Sequence, residues 1–348
     1  MKGRKGFGAA FAGFSGIALT LAISFAIVVA LILLFSKVPG TTIFNFFIGP
    51  FRNAYYLGNM LNSAVPLVFT GLGIAVAFKS SVFNLGGEGQ VYAGGLAATA
   101  VCLALPQANG FLGAVAAAAG GLAMSAVIAG LSGWFRMQWD ADEMISSFLL
   151  SSAVILVVNW FITGLLDDPA NNLLATLPIG PQYALAKIFP PSKLNISAFF
   201  SLAAAALVWL FMNRTHAGYE MRLCGLNREF ARYGGINVRT YLVAPMVLSG
   251  ALHGLAGVLS VLGTHGAAIK GFSGGMGWNG IAVALIARNN PLWVVPAALL
   301  FAWLDAGARA AMLHGDVTYE IAAIAQACIF YLVTAQALYG LARKRSAA

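Results

Sequence analysis

At 348 residues, 60% hydrophobic and 9% charged, with a mean hydropathy of +0.83, the chain is far too apolar for a water-soluble domain. Its net charge of +9 sits in short stretches between apolar runs, which is the pattern of positive-inside loops and excludes nucleic acid as the reason for it. The three cysteines, Cys102, Cys224 and Cys328, lie too far apart for a disulfide framework or a metal site.

In chain order, Met1–Lys5 and the apolar run to Phe35 resemble a signal peptide. The run is too long for that, and no small-x-small cleavage site follows in 36–40, so a retained first helix is expected. Apolar stretches of roughly 20 residues, the length needed to cross a bilayer core, predict about ten spans. They fall near 17–36, 59–78, 89–106, 111–133, 143–166, 196–213, 241–263, 276–288, 292–313 and 319–342. The fold class is therefore an all-α polytopic membrane protein, with one short or broken span near 276–288 and Pro66 set to kink the second. Alternation from a cytoplasmic N-terminus puts fourteen of the twenty basic residues inside, and both termini with them. No soluble stretch is long enough for a second core, so residues 1–348 read as one membrane domain.

Several polar landmarks interrupt this pattern. Phe83-Asn-Leu-Gly-Gly-Glu-Gly-Gln90 places Glu88 among three glycines, on the cytoplasmic edge in this register. An acid there is either a functional group or part of a structural turn in which Asn84, Glu88 and Gln90 cap helix ends. Asp140, Asp142 and Glu143 open the fifth span and suit its positive N-terminal pole. Asn159, deeper in that span, either reaches a cavity or bonds a neighbouring helix. The longest external loop is 167–195. The segment 214–239 carries five arginines against two acids, punctuated by glycines, and reads as a structured cytoplasmic loop of one or two short helices. Asp305 and Arg309, four apart, are expected to neutralise each other on one helix face, and His253 to hydrogen-bond between helices.

No phosphate loop of the form G-x-x-x-x-G-K-[ST] occurs, so nucleotide hydrolysis is not expected in this chain, and no H-E-x-x-H zinc motif occurs either. The residues leave open an ion-coupled carrier, for which intramembrane acids are sparse, and a membrane enzyme acting on lipid-linked substrates.

Three motifs in order carry a family resemblance over about residues 55–340. Phe83–Gln90 resembles the F-N-[IL]-G-x-E-G-Q motif of nucleoside and simple-sugar ABC importer permeases, within the branched-chain amino acid/monosaccharide permease superfamily. Thr215–Asn227 with Ala231–Ile236 is similar to that family's cytoplasmic segment, and Gly280–Pro291 to its G-I-A-V-A-L-x-x-R-N-N-P stretch. Two departures stand out: Gly87 replaces a bulkier residue, and Ala141-Asp142-Glu143 stands where V-N-E is frequent.

The resemblance implies a permease subunit, in a bacterial inner membrane, of an ATP-driven importer moving nucleosides or simple sugars by alternating access; riboflavin or another heterocyclic polyol is the rival ligand. It implies four partners besides the lipid bilayer and no nucleic acid: an ABC ATPase, a second and different permease chain, an extracytoplasmic binding protein and the solute. ATP would bind the ATPase, with no cofactor, metal or catalytic residue here. Residues 214–239 become the coupling segment, with Gly218, Arg222, Gly225, Asn227, Arg228, Arg232 and Gly235 as its expected residues. Asn84, Gly86, Glu88, Gly89 and Gln90 form a structural or gating motif. Asn62, Ser63, Asn159 and Asn279 are the expected polar lining of the pathway.

Overall fold

A computed structural model describes residues 22–170, 172–321, 323–328 and 330–332, and the described residues are helical with only isolated β-bridges. The helices are α1 (Ala22–Phe35), α2 (Pro39–Ile48), α3 (Ala54–Lys79), α4 (Gly87–Ala104), α5 (Gly110–Trp139) and α6 (Glu143–Trp160). They continue with α7 (Ser197–Arg214), α8 (His216–Leu226), α9 (Arg228–Tyr233), α10 (Thr240–Ser260), α11 (Met276–Ile286) and α12 (Pro291–His314). Single π-helical turns, Phe161–Leu165 and Val261–His265, extend α6 and α10. Among the described residues six helices are long and apolar enough to cross a membrane: α3, α5, α6 and α10 with their extensions, α7 and α12.

Four of the ten expected spans stand differently. The first and last run into residues outside the described set, and so do both termini. The third is α4, whose polar first turn lowers its apolarity. The eighth is α11, which at 11 residues reaches about 16 Å, half of a bilayer core. Pro66 lies inside α3, which continues through it. The sequence reading passed over α2 altogether, because its ten residues merge into the apolar surroundings of the first loop.

The chain divides into two compact units: Leu61–Leu299, and the described parts of Met1–Met60 with Leu300–Ala348. In the larger unit α4, α5 and α10 pack through small residues. A Cβ on Gly94 would lie 2.6 Å from the Gly254 Cα, and one on Gly257 would strike the Val91 carbonyl. With no hydrophobic drive between helices in lipid, such close backbone approach supplies the packing. In the smaller unit, Phe25, Phe47 and Trp303 form an edge-on aromatic cluster, and the Trp303 indole donates to the Phe47 carbonyl at 3.1 Å. Asp316 accepts from Ser36 Oγ and the Lys37 amide, both at 2.5 Å. Asp305 pairs with Arg309 at 3.8 Å, as its spacing suggested, and also accepts from Gln326 and Tyr319.

A side chain at Gly257 has nowhere to go. Gly257→Ala is expected to cost about 1–3 kcal/mol through overpacking, read as a lowered melting temperature of the detergent-solubilised chain, whereas Gly164→Ala, whose Cβ meets nothing within 4 Å, should leave it unchanged.

Candidate functional site

The Phe83–Gln90 turn is the most heavily bonded polar feature of the larger unit. After α3 ends at Lys79, a tight turn with Ser81 at φ 53° leads on to α4 at Gly87, which abuts His253, halfway along the span Thr240–His265. Glu88, which the charge register puts towards the cytoplasmic side, is buried among the helices.

Most side chains of the turn, and several of its amides, have partners on neighbouring helices or within the turn. The amides of Asn84 and Gln90 exchange two hydrogen bonds, at 2.8 and 2.9 Å, and Asn84 also donates to Ser249 Oγ at 2.9 Å. The Gly86 amide donates to Asn84 Oδ1 at 2.9 Å and the Gly89 amide to Ser151 Oγ at 2.8 Å. The Leu85 amide donates to Ser147 Oγ at 3.0 Å, while Ser125 Oγ donates to the Gln90 carbonyl at 2.7 Å. Glu88, 7% exposed, accepts from Ser273 Oγ, from the Gly275 amide at 3.1 Å and from the Gly277 amide at 2.8 Å. Its carboxylate therefore caps the N-terminus of α11, where the helix pole favours negative charge. Gly271-Phe-Ser-Gly-Gly275 has the spelling of a nucleophile elbow, but Ser273 is buried and donates its proton to Glu88, and no strand precedes it as that motif requires.

His253 departs from expectation. Its Nδ1 pairs with Ser249 O of its own helix at 2.7 Å, and its fully buried Nε2 has no partner among the described residues. That nitrogen faces Gly87, where a Cβ would approach it to 2.5 Å. The absence of a side chain at Gly87 is thus the room that His253 fills. The acids opening α6 divide their work: Asp142 caps the helix through Met144 and Ile145 amides at 2.8 and 3.2 Å, as expected. Glu143 goes elsewhere, taking Arg136 at 2.6 Å and the Phe83 amide at 3.4 Å.

Segment 214–239 folds into α8 and α9, each with a side-chain cap. Thr215 Oγ1 accepts from the Gly218 amide and Asn227 Oδ1 from the Phe230 amide, both at 3.0 Å. Gly225 lies on the backbone of Lys79 and Ser80, and Gly218 on that of Phe211 and Met212, so both glycines serve close approach. Ser81 Oγ donates to the Gly225 carbonyl at 2.6 Å, and Arg228 donates to the Ser81 carbonyl at 2.9 Å. Tyr241 donates to Glu220 at 2.6 Å. Burial and the neighbouring Glu220 push the Cys224 thiol above its ordinary value, so it stays a packed apolar group. Gly235 takes a positive φ of 81° and ends α9. Arg222 bonds its own helix at Gly218 O and reaches Asn213, both at 3.4 Å; Arg232 pairs with Glu229 at 3.5 Å in the open. The outward face is carried by Tyr219, Leu226, Phe230 and Tyr233, the last 90% exposed.

The four expected pathway residues lie on three helices. Asn62 is committed to Thr264 and Asn195, at 3.0 and 3.1 Å; Ser63 follows it on α3. Asn159 on α6 has a buried Oδ1 with no partner among the described residues, and Asn279 lies in the first turn of α11. Sequence reasoning missed Asn195, Ser147, Ser151, Ser249 and Ser273. Only the i, i+4 spacing of Ser147 and Ser151 was a usable signal for them. Among the described residues no group of three or more His, Cys, Asp or Glu could hold a metal.

A multi-helical apolar bundle with a structured polar segment at the end of α3 and α7 is the build of a membrane permease. The family described as branched-chain amino acid transport system / permease component matches residues 56–334, and this chain belongs to it. It is 38% identical over 315 residues to the probable riboflavin import permease protein RfuC of Treponema pallidum, covering 89% of this chain and 82% of that one. Over 297 residues it is 32% identical to the guanosine ABC transporter permease protein NupP of Bacillus subtilis, covering 82% of each. The glucose ABC transporter permease protein TsgB13 of Haloferax volcanii is 29% identical over 311 residues, 83% of this chain and 79% of its own. The chain is a permease subunit of an ABC importer, a multi-pass protein of the cytoplasmic membrane, and the ion-coupled reading falls away.

His253 and Gly87 share one space. Gly87→Ala is expected to destabilise by about 1–3 kcal/mol through overpacking, and the penalty should shrink when His253→Ala is present. A double-mutant cycle on melting temperature measures that coupling.

Proposed function

We propose that this chain moves a neutral, hydroxyl-bearing solute, a nucleoside or simple sugar, by alternating access, powered by an ATPase that docks on 214–239. Around it stand a second, different permease chain and an extracytoplasmic binding protein that faces 167–195. About ten spans with both termini inside complete the topology of this reading, with residues 1–348 as one permease domain. The chain itself holds no catalytic group and no cofactor; ATP belongs to the partner.

The observation that carries it is the construction of 214–239. Capped helices seated on backbone through Gly218 and Gly225, and tied to α3 and α10 by Arg228 and Tyr241, keep one shape under load. They leave Tyr219, Leu226, Phe230 and Tyr233 exposed, large apolar side chains of the kind that serve as anchors at protein interfaces. Arg228 is spent inside the chain, so Arg232 and the aromatic side chains are the better candidates for touching the ATPase. Glu88 and its neighbours make the structural or gating motif, and Asn62, Ser63, Asn159 and Asn279 remain the proposed polar contacts of the solute route.

A second ligand is favoured by a specific observation. The relative with 38% identity is named a riboflavin import permease, so a flavin-like heterocycle with a polyol chain stands beside the nucleosides.

Gentle detergent extraction followed by mass spectrometry is expected to recover an ABC ATPase and a second permease with this chain; recovery alone, or as a homo-oligomer, counts against the reading. Ligand class is then read from the affinity of the associated binding protein for guanosine, glucose and riboflavin. Phe230→Ala with Tyr233→Ala should leave the chain folded in the membrane. Losing anchors worth about 2 kcal/mol each should weaken ATPase association by roughly thirtyfold per residue, and by up to about a thousandfold for the pair.

A further inference from the structure

The segment between α10 and α11 is held at two places by very different means. From Val261 to Lys270 it is zipped to the external stretch 174–185. Leu185 N donates to Leu262 O at 3.0 Å, Ile179 N to Gly266 O at 2.8 Å, Thr176 N to Ala268 O at 3.0 Å and Lys270 N to Leu174 O at 2.8 Å. Beyond Lys270 the chain enters a glycine turn, with φ of +82° at Gly271, +53° at Gly274 and +80° at Gly275, and a Cβ at any of these three would meet nothing within 4 Å. One face of the turn is therefore open. The other lies on α4: Phe272 packs on Tyr92 at 5.1 Å and against Gly95, Ser273 and the Gly271 backbone meet the Tyr92 hydroxyl, Gly277 abuts the Gly87–Glu88 backbone, and Glu88 supplies the carboxylate.

We propose that the turn Gly271–Gly277 is a moving gate of this permease and that Glu88 is its positioning residue. This gate rests on the importer reading above, in which 174–185 lies outside. A short helix that begins inside the bundle is tolerated only where backbone lines a cavity or is buried in protein, and the turn meets the second condition through Phe272 and Ser273, both buried. All three hydrogen bonds that Glu88 accepts come from the turn and the α11 N-terminus, so the carboxylate fixes that segment as a unit. The turn has no Cβ on its open side to wedge it in place, and its glycines permit the backbone rotation that a hinge needs. Because 262–270 and 174–185 form one hydrogen-bonded piece, a protein docking on the external stretch pulls directly on the turn. Glu88 then releases it, and α11 shifts with it.

The test uses the complete complex in proteoliposomes, with ATPase, second permease and binding protein. In a background of Cys102→Ala, Cys224→Ala and Cys328→Ser, the pair Tyr92→Cys and Phe272→Cys is bridged with a reducible bis-methanethiosulfonate. Bridging is expected to stop uptake and reduction to restore it; a fully bridged complex that transports at the unbridged rate shows the turn to be static and overturns the gate. Should that variant not assemble, hydrogen exchange on the wild-type complex decides. Amides of 271–277 should exchange roughly tenfold faster or more during ATP turnover with binding protein, and in Glu88→Gln already at rest, while 246–258 stay protected. Unchanged exchange in both overturns the proposal. ATP hydrolysis followed in the same vesicles separates the two layers: hydrolysis with a static turn sinks the gate alone, and a chain that never binds an ATPase sinks the importer reading with it.

Discussion

A carboxylate set deep in an apolar bundle has to be given its donors by the protein, because water is not there to supply them and an unmet charge in low dielectric is costly. Glu88 sits against the middle of α10 and takes all three of its hydrogen bonds from the Ser273–Gly277 stretch. That one requirement explains why α11 begins where it does and why the preceding turn is built of glycine. The surrounding serines on α5, α6 and α10 follow from the same constraint, each satisfying a backbone or amide group that the turn leaves open.

Close helix contact is the second condition. The Glu88 turn meets its partners only because α4, α5 and α10 approach through Gly94, Gly254, Gly257 and Gly250, where a methyl group would collide with backbone. His253 occupies the one gap that this arrangement leaves beside Gly87. Packing and polar satisfaction are therefore not separable here: loosening the helices would unpair the turn, and unpairing the turn would leave a charge without donors.

At the other functional end, 214–239 is stiff for local reasons. Side-chain caps fix both short helices, two glycines seat them on neighbouring backbone, and Arg228 ties them to the end of α3. In the proposed reading such stiffness is what force transmission needs, since a segment that deformed would absorb the ATPase motion before the long helices felt it. The exposed aromatic residues then supply the contact area, and the charges the sequence displayed most openly serve largely to hold the segment together.

Apolar run length, basic loop bias and three ordered motifs made the membrane class, the family and the polar segment 214–239 legible from sequence, because each depends on local composition. So were the Asp142 cap and the Asp305–Arg309 pair, which need only neighbours along one helix. What tertiary structure alone decided involves partners far apart in the chain. The burial of Glu88 and its bond to Gly277 join positions 189 apart in the sequence. The diversion of Glu143 to Arg136 and Phe83, the commitment of Asn62 to Asn195 and Thr264, and the inward use of Arg228 are of the same kind. A one-dimensional pattern reports which residues are polar in an apolar chain; which donor reaches which acceptor is set by how closely the helices approach, and that closeness was written in glycines whose contacts only the folded chain reveals.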